Sequence, residues 1–164
     1  MSQKFNQLFV PHSHISEDNF KFFNKGRELW NVESQFKEDL EDKIRNQLEI
    51  ADLLQGFQIT VDSNSGFGSL TNQMITYFLK DEAPKAPVYV YSVNNSQKIQ
   101  IEDEADEAER TNAMTRQQLI DINQSLFFSE ITEISDLVIP FDQIQVGKSL
   151  SKYLSNYNNE KIFH

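Results

Sequence analysis

The stretch Leu53-Leu-Gln-Gly-Phe-Gln-Ile-Thr-Val-Asp-Ser-Asn-Ser-Gly-Phe-Gly-Ser-Leu70 joins a short apolar run to a loop of small and polar residues. The run 57–61 is rich in β-branched and aromatic side chains, which predicts a strand. The loop 62–68 follows, and a helix is predicted to start near Ser69. The sequence therefore predicts a strand, a loop that contains glycine and a helix N-terminus in succession.

Four helices are predicted from apolar residues that recur every three to four positions. They cover 33–54, about 69 to 83, 105–127 and 147–157, and Pro84 and Pro87 end the second one. The side chains expected to face the core are Phe36, Leu40, Ile44 and Leu48 in the first helix, Leu70, Met74, Ile75, Tyr77, Phe78 and Leu79 in the second, Leu119, Ile122 and Leu126 in the third, and Leu150, Tyr153 and Leu154 in the fourth.

Strands alternate with these helices. Beyond 57–61, strands are predicted at 88–93 and, as a buried strand, at 137–141, with two short ones at 7–11 and 19–23. This order predicts an α/β fold, a parallel sheet with flanking helices. Right-handed crossovers place the loop 62–68 at the carboxyl edge of the sheet, where such folds bind ligands.

The composition excludes several classes of protein. The length of 164 residues suits one domain. The absence of cysteine excludes a disulfide scaffold, a thiolate zinc site and a cysteine nucleophile, and the net charge is −10. The acidic balance argues against binding to nucleic acid or anionic membranes. No apolar run reaches the roughly 20 residues of a membrane span, and the N-terminus lacks the pattern of a signal peptide, so we expect a protein that is not secreted.

The loop and the following helix start suggest an anion site, because free backbone N–H groups and glycines favour phosphate. A tight turn whose glycines serve packing is the structural alternative. The loop has no Lys or Arg, and Asp62 would repel phosphate unless Mg²⁺ intervened. The candidate binding residues are Asp62, Ser63, Ser65, Gly66, Gly68 and Ser69, together with Asn94 and Asn95 after the next strand.

The same residues resemble a known segment. Leu-Gln-Gly-Phe-Gln at 54–58, a strand, a Gly-x-Gly-x-Leu helix start and an acidic ending at 81–84 resemble the central nucleotide-binding segment of tubulin. Where tubulins carry Gly-Gly-Gly-Thr-Gly-Ser-Gly, this chain has the shorter Asp62-Ser-Asn-Ser-Gly66. That version resembles the Misato family, tubulin-related proteins associated with mitochondrial distribution and morphology. The stretches 38–42, 51–58 and 137–140 also stand in the order that the family shows.

The resemblance implies a single but partial tubulin-like domain over 1–164, with N-terminal strands and loops over 1–30, an α/β body over 33–157 and an acidic loop near 98–110. The family begins with a Gly-Gln-type phosphate loop that has no counterpart upstream of Phe20, and it continues past His164 to the catalytic acids of tubulin. These differences imply a chain that is not an enzyme and that needs no cofactor.

The resemblance further implies a non-catalytic structural or interaction protein connected with mitochondrial organisation and inheritance. It implies a location on the cytoplasmic face of mitochondria or within them. A GTP-binding, tubulin-like GTPase domain is the alternative, in which Asn94 and Asn95 would lie near the sugar. A scaffold subunit of a large mitochondrial assembly is a third possibility.

Three other features carry weaker signals. His12 and His14 could bind a metal, but no third ligand is evident, so exposed turn histidines and no metal site are expected. The segment 102–109 holds six acids, which predicts a solvated surface; its alternative role is a docking segment for a basic partner. Protein partners are expected there or at the sheet edges. Phe67 is expected to fill the core, the alternative being an exposed anchor.

Overall fold

The computed structural model describes residues 20–94, 106–142, 148, 149 and 151. Helices and strands alternate along these residues, as predicted. The helices are α1 (Asn24–Val32), α2 (Ser34–Ile50), α3 (Gly66–Met74), a π-helix (Ile75–Leu79), α4 (Lys80–Glu82) and α5 (Glu107–Ile134). The strands are β1 (Phe57–Asp62), β2 (Val88–Asn94) and β3 (Leu137–Asp142).

The three strands form one parallel sheet in the order β1-β2-β3. Ile59 pairs with Val90, and Val90 pairs with Val138 on its other side. This arrangement confirms the predicted fold class, an α/β fold in which helices flank a parallel sheet. Because the chain leaves β1 and enters α3 directly, the connecting loop lies at the carboxyl edge of the sheet, as predicted.

One face of the sheet carries the core. Val88, Val90 and Ser92 are buried on this face, where α3 contacts β1 and α5 contacts β3. The two helices also contact each other, so they cover the same face. The buried apolar residues of this core are Phe20, Phe23, Leu29, Trp30, Phe36, Val61, Leu70, Ile75, Phe78, Leu79, Val88, Val90, Phe127 and Ile131.

The opposite face of the sheet carries another apolar surface. Side chains alternate between the faces of a strand, and the register places three apolar pairs on this side: Tyr89 with Leu137, Tyr91 with Ile139, and Val93 with Phe141. The rings of Tyr91 and Phe141 lie 5.9 Å apart, and Leu137 is 47% exposed. We call these six residues the second sheet face.

Gly26 allows α1 to pack closely against α3. A Cβ at Gly26 would overlap the carbonyl oxygen of Gly66 and would crowd the backbone nitrogen of Leu70. Because no side chain fits between the two backbones, glycine is required there by close approach rather than by a special backbone angle.

Arg45 ties α2 to the end of the helix that follows β1. Its Nε donates to Glu82 at 2.7 Å, and its guanidinium lies 5.1 Å from the centroid of the Phe78 ring. The hydrogen bond to Glu82 raises the pKa of Arg45 above its ordinary value.

The prediction of strands and loops over residues 1–30 needs two corrections in the part that the structure describes. The predicted strand at 19–23 is replaced by turns at 20–23, and α1 begins at Asn24. Gly26, Leu29 and Trp30 are its buried residues, which is the spacing of one helix face. Residues 1–19, with the other predicted strand, His12 and His14, lie outside the described residues.

Two helix predictions need smaller corrections. The first helix ends at Ile50 rather than at residue 54, since Ala51 has an extended backbone and Gly56 has a φ of 152°, which L side chains rarely adopt. Tyr77 was expected to face the core but is 62% exposed. It lies in the π-helix, whose wider turns rotate the side chains relative to an α-helical repeat.

The third predicted helix has the right location but the wrong face. α5 runs over Glu107–Ile134, and its buried residues are Asn123, Phe127 and Ile131. Ile122 and Leu126 were expected to face the core and are 55% and 44% exposed. An error of one position rotates the predicted buried face by about 100°. The polar Asn123 made the buried face hard to recognise, because an apolar residue is expected at such a position.

The ends of the α/β body also differ from expectation. The acidic loop predicted near 98–110 is helical from Glu107, with Asp106 as its N-cap, and residues 95–105 lie outside the described residues. β3 was expected to be buried, but Leu137 and Phe141 are exposed because they belong to the second sheet face, opposite the face that α3 and α5 cover. Of the helix predicted at 147–157, the structure describes 148, 149 and 151, which are helical.

Candidate functional site

The loop after β1 folds around the side chain of Asp62. One carboxylate oxygen accepts the N–H of Asn64 at 2.9 Å, and the other accepts the hydroxyl of Ser65 at 2.7 Å. Ser65 is the N-cap of α3, so the helix begins at Gly66 rather than at the predicted Ser69. Local hydrogen bonds of this kind explain why Asp and Ser follow the strand.

The backbone N–H groups at this helix start donate to acceptors of the chain itself. Gly66 donates to the carbonyl oxygen of Phe20 at 2.8 Å, and Gly68 donates to that of Ser65 at 3.2 Å. Phe67 donates to the Ser65 hydroxyl at 3.4 Å, and Ser63 donates to the Val93 carbonyl at the same distance. An anion held by these N–H groups would have to displace those acceptors.

Asn123 holds the loop from the side of α5. Its Nδ2 donates to the carbonyl oxygens of Lys21 and Asn64, both at 2.6 Å, and its Oδ1 accepts the N–H of Phe23 at 3.0 Å. The neighbouring Gln124 donates to the Asn64 side chain at 2.6 Å. The loop, the turn before α1 and α5 are thereby joined through one buried amide.

Ser69 lies inside the contact between α1 and α3. Its hydroxyl donates to the Phe23 carbonyl and accepts the N–H of Arg27 at 3.0 Å, and the side chain is fully buried. The predicted binding residue Ser69 thus caps α1 instead of facing a ligand.

Gly66 and Gly68 lie where the loop packs against other elements. A Cβ at Gly66 would lie 3.1 Å from the nitrogen of Gly26 and from the carbonyl oxygen of Phe20. A Cβ at Gly68 would lie 3.0 Å from the Phe127 ring. Both distances are shorter than most contacts of real Cβ atoms, which agrees with the packing alternative for these glycines.

Two buried hydroxyls near this edge have no hydrogen-bond partner among the described residues. They are Ser63 Oγ and Ser92 Oγ, and both side chains are fully buried. Ser92 is paired with Val61, the penultimate residue of β1, and Ser63 follows the same strand. An unsatisfied buried hydroxyl is uncommon and calls for an explanation.

The strand ends present an acidic edge. Asp62, Asn94 and Asp142 are the last residues of the three strands, and Asn94 pairs with Asp142. The predicted binding residue Asn95 lies outside the described residues. The structure therefore brings Asp62, Ser63, Ser65 and the glycines together and places Asn94 two strand positions beyond Ser92 along the same edge.

Phe67 points away from the core. It is 41% exposed, and its ring meets that of Phe20 edge-on with a centroid distance of 4.8 Å. The expectation that it fills the core is wrong, because the core position beside α5 belongs to Gly68 and Phe127.

Neither a metal cluster nor a membrane-spanning helix is found in the described part of the chain. Residues 20–94 and 106–142 contain no group of three His, Cys, Asp or Glu residues that could hold a metal ion. The helices of the same part are too short or too polar to cross a bilayer.

Curated proteins match part of the chain, while no protein-family model matches it. Protein DML1 of Debaryomyces hansenii is 37% identical over 87 residues, which is 50% of this chain and 18% of that protein. Protein misato of Drosophila melanogaster is 38% identical over 64 residues, or 39% of this chain and 11% of that protein. The tubulin beta-3 chain of an oomycete-like species is 33% identical over 101 residues, or 58% and 21%.

The chain contains a Misato/tubulin-related segment. The matches span about a fifth or less of the length of these relatives. They agree with the resemblance seen in the Leu-Gln-Gly-Phe-Gln and Ser-Gly-Phe residues, and the parallel sheet agrees with the tubulin match.

Sequence reasoning missed the residues that hold the loop of this Misato/tubulin-related segment in place. Phe20 and Asn123 supply its main contacts from outside, and neither carries a motif. The available signal was the spacing of Asn123, Phe127 and Ile131, in which a polar residue occupies an apolar stripe at four-residue intervals. A buried polar residue in such a stripe indicates a hydrogen-bonded role.

Proposed function

We propose that this chain is a non-catalytic, tubulin-related structural or interaction protein connected with mitochondrial organisation and inheritance. It acts on the cytoplasmic face of mitochondria or within them. The mitochondrial part of the proposal follows from the resemblance to the Misato family and from the matches to Protein DML1 and Protein misato.

The single observation that carries the non-catalytic role is the self-contained loop. Its N–H groups donate to Phe20, Ser65 and Val93, and the Asp62 carboxylate accepts the N–H of Asn64, whereas a phosphate-binding loop leaves such N–H groups for the phosphate. The loop has no Lys or Arg to offset that charge. Binding a nucleotide would cost these hydrogen bonds and would bring polyphosphate beside a carboxylate.

The second sheet face supports the interaction role. Parallel sheets are generally covered on both faces, and the main helix contacts of this sheet, from α3 and α5, are on the first face. We propose that a complementary apolar surface of a protein partner covers Tyr91, Leu137 and Phe141, as part of a larger tubulin-like unit. The far greater length of the curated relatives agrees with such a unit. The acidic segment 102–109 and the sheet edges are the other proposed contact points.

A GTP-binding domain is the second candidate function. It is favoured by Ser63 Oγ and Ser92 Oγ, which are buried near the carboxyl edge without a partner among the described residues. A scaffold subunit of a large mitochondrial assembly is the third candidate. It differs from the first in one observable, because it would sediment with a stable complex in mitochondrial extracts.

Titration with fluorescently labelled GTP and Mg²⁺ tests the proposal. We expect no saturable binding with a Kd below about 1 mM, which means a binding free energy no more favourable than about −4 kcal/mol. The matched variants are Ser63→Ala and Ser92→Ala, which remove the two hydroxyls while leaving the described hydrogen bonds of the loop in place.

Saturable micromolar binding by the unaltered chain would overturn the non-catalytic role. Weakening by Ser63→Ala but not by Ser135→Ala, at the C-cap of α5 beside the amino end of β3, would then locate the nucleotide at the loop. Gly66→Val is less suitable, since its side chain would disturb the contact with Phe20 and Gly26.

A further inference from the structure

The outer edge of β1 presents backbone groups rather than side chains to a neighbour. The N–H groups of Phe57 and Ser63 donate to carbonyl oxygens of the segment 87–93 at 2.8 and 3.4 Å, so both point toward β2. Along a strand, successive N–H and C=O groups point to opposite sides, and those two residues apart point the same way. The N–H and C=O groups of Gln58 and Thr60 therefore point away from β2.

These outward N–H groups are open to a further strand. Within residues 20–94 and 106–142, no acceptor pairs with the N–H of Gln58 or Thr60. A row of unpaired backbone donors and acceptors is a template for pairing with another chain. β1 has none of the features that usually prevent such pairing, since it contains neither Lys nor Pro and pairs with β2 without a bulge.

The opposite edge of the sheet is different. β3 contains Pro140, which is paired with Ser92 of β2. Proline cannot donate to the ladder of a sheet and is confined largely to edge strands. Pro140 is therefore typical of a strand at which a sheet ends, and β1 is the side on which this sheet can be extended.

The side chains of β1 indicate the pattern of a matching strand. Phe57 and Ile59 pack against the core but are only partly buried, whereas the β2 residues paired with them are buried. Gln58 and Thr60 are exposed and lie on the other face of the sheet. A strand beside β1 would place its side chains alternately next to the apolar pair and next to the polar pair.

We propose that a strand of a protein partner, with alternating apolar and polar residues, joins the sheet along the outer edge of β1. Its carbonyl oxygens accept the N–H groups of Gln58 and Thr60, and its own N–H groups donate to their carbonyl oxygens. Strand addition to an exposed sheet edge is a common mode of peptide recognition. The inference rests on the proposed interaction role and names the structure of the partner. Its test does not involve GTP, so the two proposals can fail separately.

Amide hydrogen exchange, resolved by residue with nuclear magnetic resonance, tests whether the edge is open in the chain alone. We expect Gln58 and Thr60 to exchange at least about tenfold faster than Ile59 and Val61, whose N–H groups point toward β2. Equal protection of the four amides would overturn the inference, because another part of the chain would then cover this edge.

The peptide acetyl-Lys-Thr-Val-Thr-Val-Thr-Lys-amide is the probe for strand addition. We expect a saturable change in the amide resonances of Gln58 and Thr60 and slower exchange of both amides. The control peptide has the same sequence with every backbone nitrogen methylated, so it keeps the side chains and the charge but has no N–H donors along its backbone. Absence of a saturable change, or equal affinity for the two peptides, would contradict strand addition.

Thr60→Pro removes one outward N–H group of β1, and Thr60→Val is the matched control because it keeps that N–H and a branched side chain. We expect the proline variant to bind the peptide at least about fivefold more weakly than the valine variant. Equal affinities would overturn the inference. If the proline variant unfolds, the two peptides and the exchange rates of the unaltered chain still decide the question.

Discussion

The side-chain amide of Asn123 makes three hydrogen bonds to backbone atoms of two separate parts of the chain. The residue is 1% exposed. Its partners Lys21, Phe23 and Asn64 would lose these bonds without a replacement if an apolar side chain stood there. A polar group left buried without a partner costs about 1–3 kcal/mol.

Replacing Asn123 by leucine should lower the free energy of unfolding by about 3 kcal/mol, because it leaves several backbone groups unpaired while preserving side-chain volume. Urea unfolding followed by circular dichroism measures the change.

Gln124→Leu is the matched control one position away, since Gln124 makes a single bond to the Asn64 side chain. We expect a loss of about 1 kcal/mol there. Equal stabilities of the two variants would contradict the role assigned to Asn123.

Among the secondary-structure elements, the strands of the sheet were predicted more closely than the helices, although the strand predicted at 19–23 was wrong. The runs at 57–61 and 88–93 are β-branched and aromatic between clear breaks, and both became strands of the parallel sheet. α1 was missed because its three buried residues are embedded among other aromatic residues that hide the helical period. The face of α5 was misread because its stripe includes Asn123, whose role depends on distant contacts.

The start of α5 gives a prediction at the scale of an element. The Asp106 carboxylate accepts the N–H of Glu109 at 2.8 Å, and the Glu109 carboxylate accepts the N–H of Asp106 at 3.2 Å. Removing the cap with Asp106→Ala should cost about 1 kcal/mol locally. Amide hydrogen exchange in the first turn of α5 should therefore be about fivefold faster.

Glu107→Ala provides the control for this prediction. Glu107 is acidic and lies in the first turn, but it takes no part in the capping box. Its removal should change exchange less than twofold. An equal effect of both substitutions would show that charge rather than capping holds this helix end.

At the scale of the whole molecule, the second sheet face predicts the effect of added charge. The double variant Leu137→Lys with Phe141→Lys should bind less of a hydrophobic dye and lose only about 1 kcal/mol of stability, because both side chains are partly exposed and Phe141 gives up its contact with Tyr91. Dye fluorescence and urea unfolding measure the two quantities.

Val90, which is buried on the core face of the sheet, provides the control for this prediction. Val90→Lys places a charge in the core beside Ile59 and Val138 and should unfold the chain. A loss of several kcal/mol in the Leu137 and Phe141 variant would instead mean that this face is already covered within the chain.

The candidate loop shows where sequence reasoning ends. Its position at the carboxyl edge followed from the order of strands and helices, which is a local pattern combined with a rule of handedness. The hydrogen-bond acceptors of its N–H groups could not be predicted from that pattern. The acceptors are the carbonyl of Phe20 and the hydroxyl of Ser65, and the first of these approaches only because Gly26 lets α1 lie against α3.

Asn123 stands 59 positions after Asn64, a separation that matters while the chain is being made. At about 5–20 residues per second, the ribosome adds Asn123 about 3–12 seconds after Asn64. During that interval the carbonyl of Asn64 and the N–H of Phe23 have no Asn123 to pair with, and Phe127 has not yet covered Gly68. The β1–α3 unit thus remains incomplete and exposes apolar surface until α5 is synthesised, and that surface is open to a chaperone during this interval.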